Sequence, residues 1–130
     1  MENTADNNIR EAFSVEHSNG NSLVANTASN SREGFQLVNS AANEVKSNVA
    51  TGNTFAGFLI DTGSTENVVK ANVATGNRDG FTIDDAFDNT LKGNTANRQH
   101  AVRLFHLRGL GQPVEGKRSV QQPCPRRGPV

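Results

Sequence analysis

The sequence predicts an all-β chain wound as a parallel β-solenoid, and three observations carry that expectation. A long phrase repeats: Asn43-Glu-Val-Lys-Ser-Asn48-Val-Ala-Thr-Gly-Asn-Thr-Phe-Ala-Gly57-Phe58-Leu-Ile60 returns as Asn67-Val-Val-Lys-Ala-Asn72-Val-Ala-Thr-Gly-Asn-Arg-Asp-Gly80-Phe81-Thr-Ile83. Units opening at Asn3, Asn26, Asn48, Asn72 and Asn94 are spaced by 23, 22, 24 and 22 residues, a period that belongs to solenoids. Within a unit the apolar residues sit two apart, which is strand spacing, and no i, i+3, i+4, i+7 stripe of a helix occurs.

Each unit has the same parts in the same order. Eight or nine residues in comes a small residue and then a large apolar one: Ala12-Phe13, Gly34-Phe35, Gly57-Phe58, Gly80-Phe81. Two further on stand Val15, Leu37, Ile60 and Ile83. An Asn-x-apolar-x-x-Asn phrase then closes the unit, as Asn21/Leu23/Asn26, Asn43/Val45/Asn48, Asn67/Val69/Asn72 and Asn89/Leu91/Asn94. Gly52, Gly63 and Gly76 among Ser, Thr and Asn supply turns. One such unit cannot bury its apolar side alone. Stacked units can, Phe on Phe and Val on Val at about 4.8 Å. The column Asn26, Asn48, Asn72, Asn94 is expected to form a ladder, each amide bonding its equivalent in the next coil. Leucine-rich repeats share the period but need several Leu per unit, and left-handed hexapeptide helices have a period too short for these units.

Composition fits one domain. Phe is the only aromatic residue, present seven times. A chain this polar and Asn-rich could be disordered, but disorder has no reason to keep a fixed apolar period. Net charge is zero yet split. Residues 1–107 hold eight Lys/Arg against twelve Asp/Glu, a net −4, and residues 108–130 hold five against Glu115 alone, a net +4. An acidic body argues against nucleic acid as a partner. No apolar run is long enough to cross a bilayer, so no membrane partner is expected. The N-terminus shows no signal peptide; the chain either stays inside the cell or is a processed or partial piece. Cys124 stands alone, and no disulfide can close within the chain.

Gly-Phe-x-Ile followed by Asn-x-Val-x-x-Asn-x-Ala-x-x-Asn resembles the repeats of right-handed parallel β-helix proteins of the pectin-lyase-like superfamily. The nearest likeness is to Asn-rich periplasmic copper-binding accessory repeats and carbohydrate-binding or sugar-hydrolysis repeats. It covers residues 3–104 and is specific for fold, since such proteins include lyases, hydrolases, epimerases, adhesins and non-catalytic members. The resemblance implies a right-handed helix of about four to five coils and an extracellular or periplasmic location. Family domains have more coils and an N-terminal cap, so this chain is expected to be a fragment of a longer β-helix, with self-association through its uncapped ends as one consequence. Two segments are expected: β-helix repeats over 1–107, with Ala101-Val102-x-Leu104 as the last strand, and a basic, Pro/Gly-rich disordered tail over 108–130. The tail could also serve as a basic arm for an acidic partner.

Two outward columns are the candidate sites. Glu16, Val38, Asp61, Asp84 and Phe105 should stack, beside His17, Asn39, Thr62, Asp85 and His106. Asp61, Asp84 and Asp85 thus become the candidate catalytic acids, because stacked carboxylates raise one pKa or recruit a cation such as Ca²⁺. Solvated turn acids are the plain alternative. Lys46, Lys70 and Lys92 form the second column and could hold an acidic polysaccharide, where the plain alternative is solvated edge charge. His17, His100 and His106 lack metal-ligand spacing, so the resemblance transfers no copper site, and no cofactor other than Ca²⁺ is indicated. The leading functional expectation is a non-catalytic segment with a structural or polysaccharide-binding role in a larger exported protein. The alternative is a polysaccharide lyase or glycoside hydrolase. An ice-binding face would need Thr ladders, and only Thr51 and Thr75 align.

Overall fold

The computed structural model describes residues 2–98 together with two strands further on, at 105–107 and 114–118. The first coil carries β1 (Thr4–Asp6), β2 (Phe13–Glu16) and β3 (Ser22–Val24). The second carries β4 (Thr27–Ser29), β5 (Phe35–Val38) and β6 (Glu44–Lys46). The third carries β7 (Val49–Thr51), β8 (Ala56–Asp61) and β9 (Val68–Lys70). The fourth holds β10 (Val73–Thr75) and β11 (Asp79–Ile83), and β12 (Thr90–Asn97) runs on into the fifth. Then come β13 (Phe105–Leu107) and β14 (Val114–Arg118).

Each coil turns through three faces, and every pairing is parallel. The Ala face stacks β1, β4, β7, β10 and the end of β12. The Phe face stacks β2, β5, β8, β11 and β13. The Val/Leu face stacks β3, β6, β9 and the start of β12. Because β12 passes through a corner without a break, the first and third faces join as one sheet of nine strands, counting β14, which pairs with β12. This is a parallel β-helix of about four turns, as its period requires.

The core is three columns of identical contacts. Ala28, Ala50, Ala74 and Ala96 fill one side and are wholly buried. Val45, Val69 and Leu91 fill another. On the third, the rings of Phe13, Phe35, Phe58 and Phe81 stack at 4.8–4.9 Å and within 7° of parallel. Offset stacking of this kind adds to plain burial. The residue before each Phe must be small. A Cβ on Gly57 would lie 3.1 Å from Ala74 Cβ and 2.8 Å from Asn77 Nδ2, and one on Gly34 would lie 2.6 Å from Gly57 O. The missing Cβ therefore points inward like the Phe beside it. Strand alternation resets at the Gly-Phe step, and the residue before the Gly emerges on the outer side.

Three sets of corners are built the same way: one residue in the left-handed region, then an Asn or Ser facing in. Ala25, Ser47, Ala71 and Gly93 (φ 56–65°) precede Asn26, Asn48, Asn72 and Asn94. Gly20, Ala42, Glu66 and Asp88 precede Asn21, Asn43, Asn67 and Asn89, and Asn30, Gly52 and Gly76 precede Ser31, Asn53 and Asn77. Left-handed backbone costs an L-residue roughly 1–2 kcal/mol, so something must hold these corners.

The Asn side chains do so, and the expected ladder is there. Asn48 N–H and Nδ2 both donate to Asn72 Oδ1, and Asn72 N–H and Nδ2 both donate to Asn94 Oδ1. The second Nδ2 proton donates backwards, from Asn48 to Leu23 O and from Asn72 to Val45 O. Each amide thus spans three coils with all its polar atoms engaged. The closing-phrase column Asn21, Asn43, Asn67, Asn89 forms a second ladder. A third, not foreseen, runs from Ser31 through Asn53 to Asn77.

Two expectations need correction. The Phe face continues not at Ala101-Val102-x-Leu104 but at β13, with Phe105 opposite Phe81 and Leu107 opposite Ile83. Phe105 lies 24 residues after Phe81, within the coil period, and Phe-x-Leu repeats the Phe-x-Ile spacing. Phe105 therefore occupies the register of the core Phe column rather than that of Asp84, and His106 pairs with Thr82 rather than Asp85. The third coil also has one extra corner residue: Gly63 (φ 74°), not Thr62, takes the left-handed slot shared by His17, Asn39 and Asp85. Of the stretch read as a tail, β14 pairs with β12, and the rest, with His100 and Cys124, lies outside the described residues.

Candidate functional site

Three sets of polar side chains stand on the outside of the solenoid. The acidic column comes first. Val38 pairs with Asp61, and Asp84 N–H donates to Ile60 O, so Asp61 and Asp84 do lie on neighbouring coils. Asp61 Oδ1, however, accepts from Thr62 N–H at 2.7 Å and from Thr62 Oγ1 at 3.1 Å. That carboxylate is occupied in shaping its own corner. Asp85 is itself a corner residue, exposed and left-handed at φ 52°. Among the described residues no three His, Cys, Asp or Glu gather as a metal-holding group.

The Lys column is in register as expected: Lys46 pairs with Lys70 and Lys70 with Lys92. Lys46 and Lys70 are half-buried and Lys92 is exposed. The described ion pairs are Arg10–Glu11, Arg32–Glu33 and Arg78–Asp79, and none takes a Lys from this column. Three Lys side chains therefore leave the backbone one strand spacing apart, on a backbone fixed by two Asn ladders.

Sequence reasoning missed a third set, at the entry to the Phe face. The column two before each Phe reads Glu11, Glu33, Ala56, Asp79, and the column before that reads Arg10, Arg32, Phe55, Arg78. Glu33 and Asp79 are 3% and 4% exposed. The Gly-Phe step brings them to the outer side, and their own Arg neighbours cover them. Arg32 Nε lies 3.2 Å from Glu33 Oε1, and Arg78 Nη2 donates to Asp79 Oδ2 at 3.2 Å. Phe55 breaks the Arg column and stands between the two guanidinium groups, 5.5 Å from Arg32 and 4.9 Å from Arg78, within cation–π range. Ala56 breaks the acid column and leaves an open groove of about 170 Å³ lined also by Leu59 and Thr82. Burial raises the Glu33 pKa above the usual carboxylate value; Arg32 opposes this and Glu11 adds to it. The signal available in sequence was the repeated Arg-acid-small-Phe phrase and its interruption at Phe55-Ala56. Charges beside a turn carry no mark of burial, which is why it passed unread.

A family model described as "Periplasmic copper-binding protein (NosD)" matches residues 1–106. No curated protein and no solved structure matches the chain.

Proposed function

Because this chain belongs to the periplasmic copper-binding protein (NosD) family of right-handed β-helices, we propose that it is a rigid binding segment that lays an acidic polysaccharide along Lys46, Lys70 and Lys92. Family and fold together support a structural or binding role in general; the polysaccharide is the finer step. The observation that carries it is the register of the three Lys residues. Like charges one strand spacing apart repel, about 4.8 Å at the backbone, and a polyanion running along the solenoid axis relieves that repulsion at all three. The ladders keep the column straight, so little ordering cost is left to binding.

The family description names copper, and the described residues do not fit it. Copper prefers imidazole, thiolate and thioether ligands, and of these the described part of the chain offers two imidazoles: His17, exposed at a first-coil corner, and His106 in β13, at the other end of the Phe face. The acids that line the outer faces are hard oxygen ligands and do not cluster.

Affinity electrophoresis in a gel containing polygalacturonate tests the proposal. Retardation is expected, weakening as salt is raised. Replacing Lys46, Lys70 and Lys92 by Gln together should abolish it without changing the melting temperature. Unretarded wild type, or retardation that survives the triple substitution, refutes the reading.

A further inference from the structure

The entry to the Phe face holds an unusual concentration of unmet hydrogen-bonding capacity. Among the described residues, Glu33 Oε1, Asp79 Oδ1 and Thr82 Oγ1 are buried and have no hydrogen-bond partner. All three belong to residues that line the groove over Ala56. Buried polar atoms are ordinarily satisfied, and each exception calls for an explanation, a bound group among them. Asp79 offers one oxygen to its Arg and keeps the other unpaired. Glu33 Oε1 approaches its Arg at 3.2 Å without the alignment of a hydrogen bond. The groove exists because Phe55-Ala56 replaces an Arg-acid pair in one coil, between two coils that keep theirs.

The chemistry of the lining narrows the occupant. Two Arg, one Glu and one Asp leave no formal net charge, so a strongly charged ligand gains little on entry. Glu33 and Asp79 lie two rungs apart, about 10 Å at the backbone, each carboxylate is paired with its own Arg, and among the described residues no metal-holding group gathers here. A single ion does not suit that lining. A molecule with several hydroxyl groups in a row does. Each Arg–carboxylate pair presents an N–H donor beside an acceptor, which matches neighbouring hydroxyls that both donate and accept. Leu59, Ala56 and the Phe55 edge supply apolar surface for the C–H faces of a sugar ring.

We propose that this groove binds an uncharged saccharide through Arg32–Glu33 and Arg78–Asp79, with Thr82 Oγ1 as a further hydrogen-bonding group. It shares with the preceding proposal only the idea of a glycan-binding solenoid. The site lies on a different face, uses no Lys and takes a neutral ligand.

NMR titration of the full chain with cellotetraose, xylotetraose, maltotetraose and mannotetraose, and separately with 1,4-diaminobutane and Ca²⁺, tests it. Saturable shifts at Ala56, Leu59 and Thr82 with at least one neutral tetrasaccharide are expected. Asp79→Asn and Glu33→Gln preserve shape but weaken the acceptor, and each should reduce affinity roughly ten- to a hundredfold. Replacing the three column Lys by Gln should leave the affinity unchanged, which separates this site from the acidic-polysaccharide reading. The proposal is overturned if no tetrasaccharide shifts those residues, if both substituted chains bind as well as the wild type, or if only the diamine or Ca²⁺ produces a response.

Discussion

Asn72 is the most informative single residue to remove. Its Oδ1 accepts from Asn48 N–H at 2.8 Å and Asn48 Nδ2 at 3.1 Å, and its Nδ2 donates to Val45 O at 2.9 Å and Asn94 Oδ1 at 3.0 Å. Asn72→Ala deletes all four bonds. Asn48 then keeps two stranded protons, one on the backbone and one on the side chain, at a residue with no exposed surface. A buried donor without a partner costs about 1–3 kcal/mol, so the loss should be about 2–6 kcal/mol. With m near 2 kcal/mol/M, the urea midpoint should fall by on the order of 1–3 M with m unchanged. Far-UV circular dichroism is the probe, since the chain has no Trp or Tyr. Two controls sharpen the test. Asn19 is exposed and accepts one bond, from Ala41 N–H, so Asn19→Ala should cost well under half as much. Ser31 shows what a shorter side chain can do in a ladder: its Oγ accepts from Asn8 N–H at 3.1 Å and donates to Ser29 O. Asn72→Ser should therefore recover part of the loss. Equal losses for Asn72→Ala and Asn19→Ala, or no recovery with Ser, would refute the ladder as the source of corner stability.

Three further outcomes follow from the same structure. Gly57→Ala should destabilise by roughly 1–3 kcal/mol, as overpacking does, because its Cβ meets Gly80 O at 3.0 Å as well as Asn77 and Ala74; an unchanged urea midpoint would show that the Ala and Phe faces are not in tight contact. Glu33 holds its proton more tightly folded than unfolded, so its contribution to stability is present at low pH and is lost as pH rises from the ordinary carboxylate value through the raised one; Glu33→Gln should remove that slope, and identical stability–pH profiles for the two chains would contradict the raised pKa. Asp61→Asn with Asp84→Asn should leave stability equal or slightly higher, and Ca²⁺ should not raise the melting temperature of the wild type; a Ca²⁺ stabilisation lost in the double substitution would restore the acidic column as a site.

What could be known from sequence was whatever repeats at one position per coil. In a solenoid each coil meets only its neighbours, so a residue such as Phe58 contacts its own equivalents, and periodicity in the chain becomes contact in space. The period, the inward Phe, Val and Ala columns and the Asn48–Asn72 ladder are legible for that reason. The Asn53–Asn77 ladder obeyed the same rule, five residues after the first, but Ser31 interrupts its Asn column and so masks the repeat. Tertiary structure alone decided features that depend on differences between coils. The extra residue at Gly63 shifts one corner, and the last Phe-face strand falls at Phe105, in register with Phe81. The groove at Ala56 arises from what one coil lacks, set against what Glu33 and Asp79 keep on either side. Burial of those two carboxylates comes from Arg32, Arg78 and Phe55 closing over them from separate coils, and no single stretch of the chain records that.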